Sequence, residues 1–215
     1  MKIHREGYPF IALFAAVNLL AFLLSAWLGW LLLPITLWCV AFFRDPERNA
    51  PQESGLIICP ADGKLLPVVE AAPPAELGMG DRPRPRLSIF MNVFNVHVNR
   101  NPVSGHVIGT SYRPGKFFNA SFDKASIHNE RMSIRLRPEG ESGDKRDLAV
   151  VQIAGLVARR IVCDLVQGEG VRRGARFGII RFGSRVDVYL PPGTEILVQP
   201  GITTRAGETV LARFL

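Results

Sequence analysis

From Pro9 to Phe43 the chain runs for 35 residues without an Asp, Glu, Lys or Arg, and Asn18 is the most polar residue in the run. At about 1.5 Å per residue, one straight helix of that length would measure roughly 50 Å, against a hydrocarbon core of about 30 Å. Ser25 to Gly29 and Pro34 offer places to turn. The pattern therefore predicts two short membrane-embedded helices, near 9–27 and 30–43, forming an N-terminal helical hairpin. Past Arg44 the periodicity changes. Short runs at 65–69, 86–90, 96–98, 131–136, 148–153, 177–181, 186–190 and 195–198 are separated by glycine, proline or charge clusters. Such spacing predicts a mainly β fold with antiparallel pairing in a single domain over 44–215, after an anchoring segment over 1–43. Within 185–190 the alternation puts Val186, Val188 and Leu190 on a core face and leaves Arg185, Asp187 and Tyr189 to look into a site. The stretches 73–85 and 138–147, rich in proline, glycine and charge, read as solvated loops, the first a candidate flap beside the histidine motif described below.

Length and charge refine this picture. A chain of 215 residues that is 47% hydrophobic can bury one good core and carry one appendage. Of the net charge of +7, one unit falls before residue 44 and six after it, a surplus suited to an anionic phospholipid surface. No zinc-finger spacing, RNA-binding aromatic motif or helix-turn-helix pattern points to nucleic acid. Lys2 and Arg5 precede the apolar run and Arg44 and Arg48 follow it, which places both ends in the cytoplasm at the cell membrane; a single tilted span would reverse that topology. The run exceeds a signal-peptide core of about 7–15 residues. Trp27, Trp30 and Trp38 suit membrane interfaces. Cys39, Cys59 and Cys163 show no ligand spacing, so they read as buried free thiols with no metal site.

The candidate chemistry lies near the C-terminus, in RFGSRVDVYLPPG (181–193). A serine hydroxyl beside a flexible glycine carbonyl can attack its own backbone: addition of Ser184 Oγ to the Gly183 carbonyl turns the amide into an ester, and elimination followed by hydrolysis leaves a pyruvoyl group and ammonia. The chain would then make its own covalent cofactor, an electrophilic carbonyl able to take up a primary amine and drain electrons from the neighbouring carbon, as amino-acid decarboxylation requires. Among the histidines at 4, 97, 106 and 128, His97 stands in an alternating segment with Phe94, Val96 and Val98 on one side and Asn95, His97 and Asn99 on the other, where an imidazole can exchange protons near neutrality. Asp62, in CPADGK (59–64), is the best acidic partner; taken alone it reads equally as a turn aspartate before glycine. Lys64 and Arg100 are candidate phosphate or carboxylate contacts.

Four ordered segments, FFRDPERNAP (42–51), CPADGK, NVFNVHVNRNPVSG (92–105) and RFGSRVDVYLPPG, together resemble the compact class of phosphatidylserine decarboxylase proenzymes, and the resemblance extends from about Glu6 to Leu215. It implies that Ser184 becomes the pyruvoyl group, that Gly183 ends the larger fragment, that the two fragments stay together as a heterodimer, and that His97 is catalytic, with Asp62 orienting it or polarising the serine. The substrate implied is phosphatidylserine in a membrane bilayer. The sequence departs from many relatives at two places: Arg100 stands where a second histidine is common, and Asn95 replaces an acidic residue. From Gly168 onward the glycine-punctuated runs are similar to lipoyl and biotinyl domains, which implies a lipoyl-like C-terminal half; no lysine sits at a hairpin tip as a swinging arm would need. Three other readings stay open: a decarboxylase of a soluble amino acid such as arginine or histidine, a decarboxylase of another serine phospholipid including the archaeal ether kind, and a non-catalytic membrane-anchored adaptor.

Overall fold

The computed structural model describes residues 2–115, 129–141, 143–155, 160–181 and 183–215. They fall into two compact units, one running to Glu47 with Phe94–Val96, the other comprising Arg48–Val93 and His97–Leu215.

In the smaller unit the uncharged run forms two helices, α1 (Tyr8–Leu24) and α2 (Ala26–Phe42), flanked by a two-stranded pairing of Lys2–Ile3 with Arg44–Asp45. The helix limits differ from expectation. The chain breaks at Ser25 alone, whose extended backbone (φ −163°, ψ 131°) separates the two helices, while Gly29 and Pro34 both lie inside α2. Gly29 serves close approach instead of turning: a Cβ there would come within 2.2 Å of the Phe22 ring. Asn18, buried on α1, donates Nδ2–H to the Gly29 carbonyl at 2.9 Å, and Thr36 Oγ1 reaches the Phe14 carbonyl at 3.5 Å. With Pro at the first turn, helical structure from Arg5 to Leu24 is long and apolar enough to cross a membrane; α2 is a shorter apolar helix. Leu13, Leu20, Leu23, Trp27, Trp30 and Leu37 on these helices are exposed.

The larger unit is mainly β. Its nine-stranded sheet runs in the order Gly170–Val171, Gly105–Arg113, Arg131–Pro138, Leu148–Ala154, Ser184–Tyr189, Arg84–Met91, Gly63–Leu65, Thr203–Thr204, with Val69–Ala71 also on Arg84–Met91. A three-stranded sheet holds Ile161–Cys163, Arg176–Ile180 and Val98–Arg100; a second holds Thr194–Ile196, Val210–Phe214 and Leu56–Ile58. Every recorded pairing is antiparallel. The main core gathers Leu87, Ile89, Met91, Ile134, Leu136, Val150, Val186, Val188 and Leu190 from the large sheet with Phe177 and Ile180 from the small one. Burying each such side chain contributes about 1.5–3 kcal/mol.

Several local expectations are corrected here. The run 65–69 is two strands, since Pro67 lies between Gly63–Leu65 and Val69–Ala71 and has no N–H for a ladder. Gly105–Arg113 is a nine-residue strand where none was expected; a register shift between Val107 and Gly109 blurs its alternation. The stretch 73–85 is not simply solvated: Ala75–Leu77 forms a 3₁₀ turn, Leu77 and Met79 are buried with Tyr189, and Glu76 is bound by Arg131 and Ser133. Burial raises the Glu76 carboxyl's affinity for a proton, but hydrogen bonds and the Arg131 charge outweigh it and hold the group below its ordinary value. Likewise 138–147 ends in Asp147, fully buried and accepting from Arg135 at 2.7 Å and Arg137 at 2.9 Å. The second face of Ser184–Tyr189 does not open into a site either. Arg185 and Asp187 are fully buried there as a two-point ion pair (2.6 and 2.7 Å), and Tyr189 packs in a second apolar cluster.

Candidate active site

Ser184 begins the strand at the middle of the nine-stranded sheet, in one row with Ala154 on one neighbour and Met91 on the other. Strand alternation points its side chain to the same face as Val186 and Val188, into the core and out of solvent. Gly183, one residue before, has φ +73°, the left-handed region that glycine enters without a Cβ penalty. That conformation splits the Gly183 backbone between two partners. Its carbonyl oxygen stays with the ladder and accepts the Gly155 N–H at 3.1 Å, while its own N–H donates to His97 Nε2 at 3.4 Å.

Gly155 is held in place from the strand before it. The Ala154 carbonyl accepts Asn129 Nδ2–H at 2.7 Å, and the Ala154 N–H donates to the Glu130 carbonyl at 3.0 Å. The Gly183 carbonyl thus faces a fixed N–H dipole, the arrangement that stabilises charge as it develops on a carbonyl oxygen under attack.

His97 is not in a strand, contrary to the expected alternation. Residues 93–95 form a turn, Phe94 is 71% exposed while Val96 and Val98 are buried, and pairing resumes only at Val98–Arg100. The turn breaks the two-residue period that the sequence suggests. His97 itself is fully buried, its carbonyl accepting from Ile180 N–H at 3.4 Å. The Gly183 nitrogen that donates to Nε2 is two bonds from the Gly183 carbonyl carbon, so the imidazole stands beside the junction.

Asp62 lies in the turn before Gly63–Leu65. Arg48 Nη2 donates to its Oδ2 at 2.8 Å and the Ala206 N–H to its Oδ1 at 2.7 Å, with Arg48 and Asp62 both largely buried. The same turn meets the His97 segment through the backbone, where Arg100 N–H donates to the Pro60 carbonyl at 2.9 Å. Arg100 is buried and donates Nη1–H to the Gly174 carbonyl, whereas Lys64 is exposed. His106 is exposed on Gly105–Arg113, and His128 lies outside the described residues.

Sequence reasoning passed over Met91, Gln152 and Gly155. Ser184 Oγ donates to Met91 Sδ at 3.3 Å, and Gln152 Nε2 donates to Asn99 Oδ1 at 2.8 Å, all four side chains being fully buried. Gln152 Oε1 has no partner among the described residues, a condition that costs about 1–3 kcal/mol. The available signal was a single glutamine inside the apolar run LAVVQIA. Neither Cys59 nor Cys163 offers a rival nucleophile, since burial pushes their thiols up to about 12 and about 11. Two cavities of about 430 and 650 Å³ open around Arg146 and Phe214, and Ser184, His97 and Asp62 line neither.

Comparison with known proteins bears on the same residues. A family model described as phosphatidylserine decarboxylase matches residues 35–212, which takes in Asp62, His97 and the Gly183–Ser184 junction. Three similar proteins all carry the name phosphatidylserine decarboxylase proenzyme. That of Ruegeria pomeroyi is 56% identical over 97% of this chain and 94% of its own length, and that of Cereibacter sphaeroides is 56% identical over 97% and 88%. The protein of Paramagnetospirillum magneticum is 58% identical over 98% of this chain and 86% of its own. With a buried serine behind a left-handed glycine whose carbonyl faces a fixed amide, and with likeness of this extent to proteins named as proenzymes, the chain belongs to the phosphatidylserine decarboxylase family.

Proposed function

We propose that this chain is a proenzyme that cuts itself between Gly183 and Ser184 and then decarboxylates phosphatidylserine to phosphatidylethanolamine. The observation that carries the reading is Gly183, whose carbonyl oxygen, in the peptide to Ser184, accepts the Gly155 N–H and whose own N–H, in the preceding peptide, donates to His97. In the cleavage, Ser184 Oγ adds to the Gly183 carbonyl carbon, negative charge develops on the oxygen facing Gly155, and the hydroxyl proton passes by way of His97 to the departing amide nitrogen. The result is an ester between residues 183 and 184 with a free amine on residue 184. Loss of the residue 184 Cα proton expels the Gly183 carboxylate, and water then replaces the nitrogen, releasing ammonia. Asp62, held by Arg48 and the Ala206 amide, orients His97.

The residues present fit the group that results. Position 184 is walled by Met91 and Ala154, so it is apolar on the side-chain face, and the His97 imidazole lies beside Gly183. The pyruvoyl carbonyl supplies an acceptor for the serine amine of the substrate and a sink for the electrons released with carbon dioxide. His97 returns a proton to the carbon that lost it. The fragments stay associated as a heterodimer because Ser184–Tyr189 keeps six registered partners on each side, in Leu148–Ala154 and in Arg84–Met91. Residues 1–43 embed in the membrane through the exposed apolar sides of α1 and α2, with residues 44–215 as the catalytic domain on the cytoplasmic side, and the short strands after Gly168 form a lipoyl-like half.

The direct test is release of labelled carbon dioxide from phosphatidylserine carrying its label in the serine carboxyl, in detergent micelles, with phosphatidylethanolamine as the product. His97→Ala, measured per cleaved chain, is expected to turn over about 10²–10⁴ times more slowly. No release from cleaved wild-type protein would refute the reading, and wild-type turnover in the variant would remove His97 from the chemical step.

A further inference from the structure

Behind the junction, Ser184, Met91, Asn99 and Gln152 make one connected run. Ser184 Oγ–H is directed at Met91 Sδ at 3.3 Å, Asn99 Nδ2–H approaches the same sulfur from 4.0 Å, and Asn99 Oδ1 accepts Gln152 Nε2–H at 2.8 Å. Three strands from two sheets contribute to it besides the serine's own: Arg84–Met91, Val98–Arg100 and Leu148–Ala154. All four side chains are fully buried.

Stability alone gives no reason for two primary amides here, because apolar groups of the same shape would leave no orphaned Gln152 oxygen. The run does end on the nucleophile. A serine in an apolar pocket can occupy three staggered χ1 wells, and the attack on Gly183 uses one. A thioether is a weak acceptor, so it can favour one well without holding the hydroxyl proton against a base. Methionine, with three rotatable bonds, does not fix its own sulfur. Asn99 supplies a donor at that sulfur, and Gln152 fixes Asn99.

We propose that Asn99 and Gln152 are positioning residues for self-cleavage, acting through the Met91 thioether to hold Ser184 Oγ in the rotamer that attacks the Gly183 carbonyl. This rests on the proenzyme reading above.

The test follows cleavage of freshly translated full-length chain by intact mass, with and without hydroxylamine, which cuts an ester once it has formed. Met91→Leu, Asn99→Leu and Gln152→Met are each expected to slow cleavage ~10- to 100-fold, the scale of a misplaced reacting atom. Hydroxylamine should not restore the rate, since the hindered step precedes the ester. The double variant Met91→Leu/Asn99→Leu should be no slower than the slower single one, because both remove the same hold; independent structural damage would multiply. Thermal midpoints in a Ser184→Ala background separate slow chemistry from lost folding, and Gln152→Met, which leaves Met91 and Asn99 in place, decides the matter if Asn99→Leu does not fold. Wild-type rates in the folded variants, multiplied effects in the double variant, or full rescue by hydroxylamine would each overturn the relay. A wild-type chain that stays whole would remove the proenzyme reading and the relay with it; a wild type that cleaves beside equally fast variants removes the relay alone.

Discussion

Gly183 shows how one backbone angle would arrange the proposed reaction. At φ +73° its N–H and its carbonyl oxygen have separate partners, His97 and Gly155; the N–H belongs to the peptide before Gly183 and the oxygen to the Gly183–Ser184 peptide. The Gly183–Ser184 pair and His97 were visible in the sequence as candidates, because the proposed chemistry resides in the residue types themselves. Gly155 and Met91 were not: their parts depend on strand pairing across 28 and 93 positions, which local alternation does not encode. Glu76 was hidden for a similar reason, being an ordinary loop carboxylate until Arg131 and Ser133 arrive beside it. Its folded-state proton affinity is depressed, so the stability it contributes is complete above its ordinary value of 4.5 and is lost as pH falls through the folded value. Glu76→Gln should therefore melt below wild type at about pH 7, with the gap closing as pH falls below 4.5. A gap that stays constant across that range would assign the effect to packing.

At the scale of elements, the two apolar helices were visible from composition, and their boundary was misplaced because Gly29 resembles a turn residue. The structure gives that glycine a packing role, with Phe22 against it and Asn18 on its carbonyl. The histidine segment shows the opposite failure, in which a clean two-residue alternation is a turn. Periodicity reports which residues are apolar, and a turn can reproduce it by chance over five positions. The helices carry the membrane prediction. Apolar burial is not screened by ions, so the full chain should remain with sedimented membranes through a wash at about 1 M salt and leave them with detergent. Release by salt alone would indicate attachment through the basic surface.

Across the larger unit, stability and the proposed cleavage draw on the same antiparallel sheet. Asp147 ties Arg135 and Arg137, on Arg131–Pro138, to the end of the loop that follows that strand, from a fully buried position. Removing one member of a buried charge cluster strands the others, so Asp147→Ala should cost about 3–5 kcal/mol in a denaturant titration; a change below about 1 kcal/mol would show the pair to be solvated. The mainly β class was legible from the spacing of short runs, whereas the order of the strands was not, because register and neighbours are set by contacts remote in sequence. The central claim is that the sheet holds Gly183 and Ser184 for a reaction of the chain with itself. Intact mass of the purified protein, before and after a carbonyl reagent, tests it most directly. One chain ending at Gly183 and another spanning 184–215 that gains one reagent adduct at its N-terminus are expected, with a single unmodified chain for Ser184→Ala. A wild-type protein that remains one chain, or a 184–215 fragment that begins with an intact serine and takes up no reagent, would contradict it.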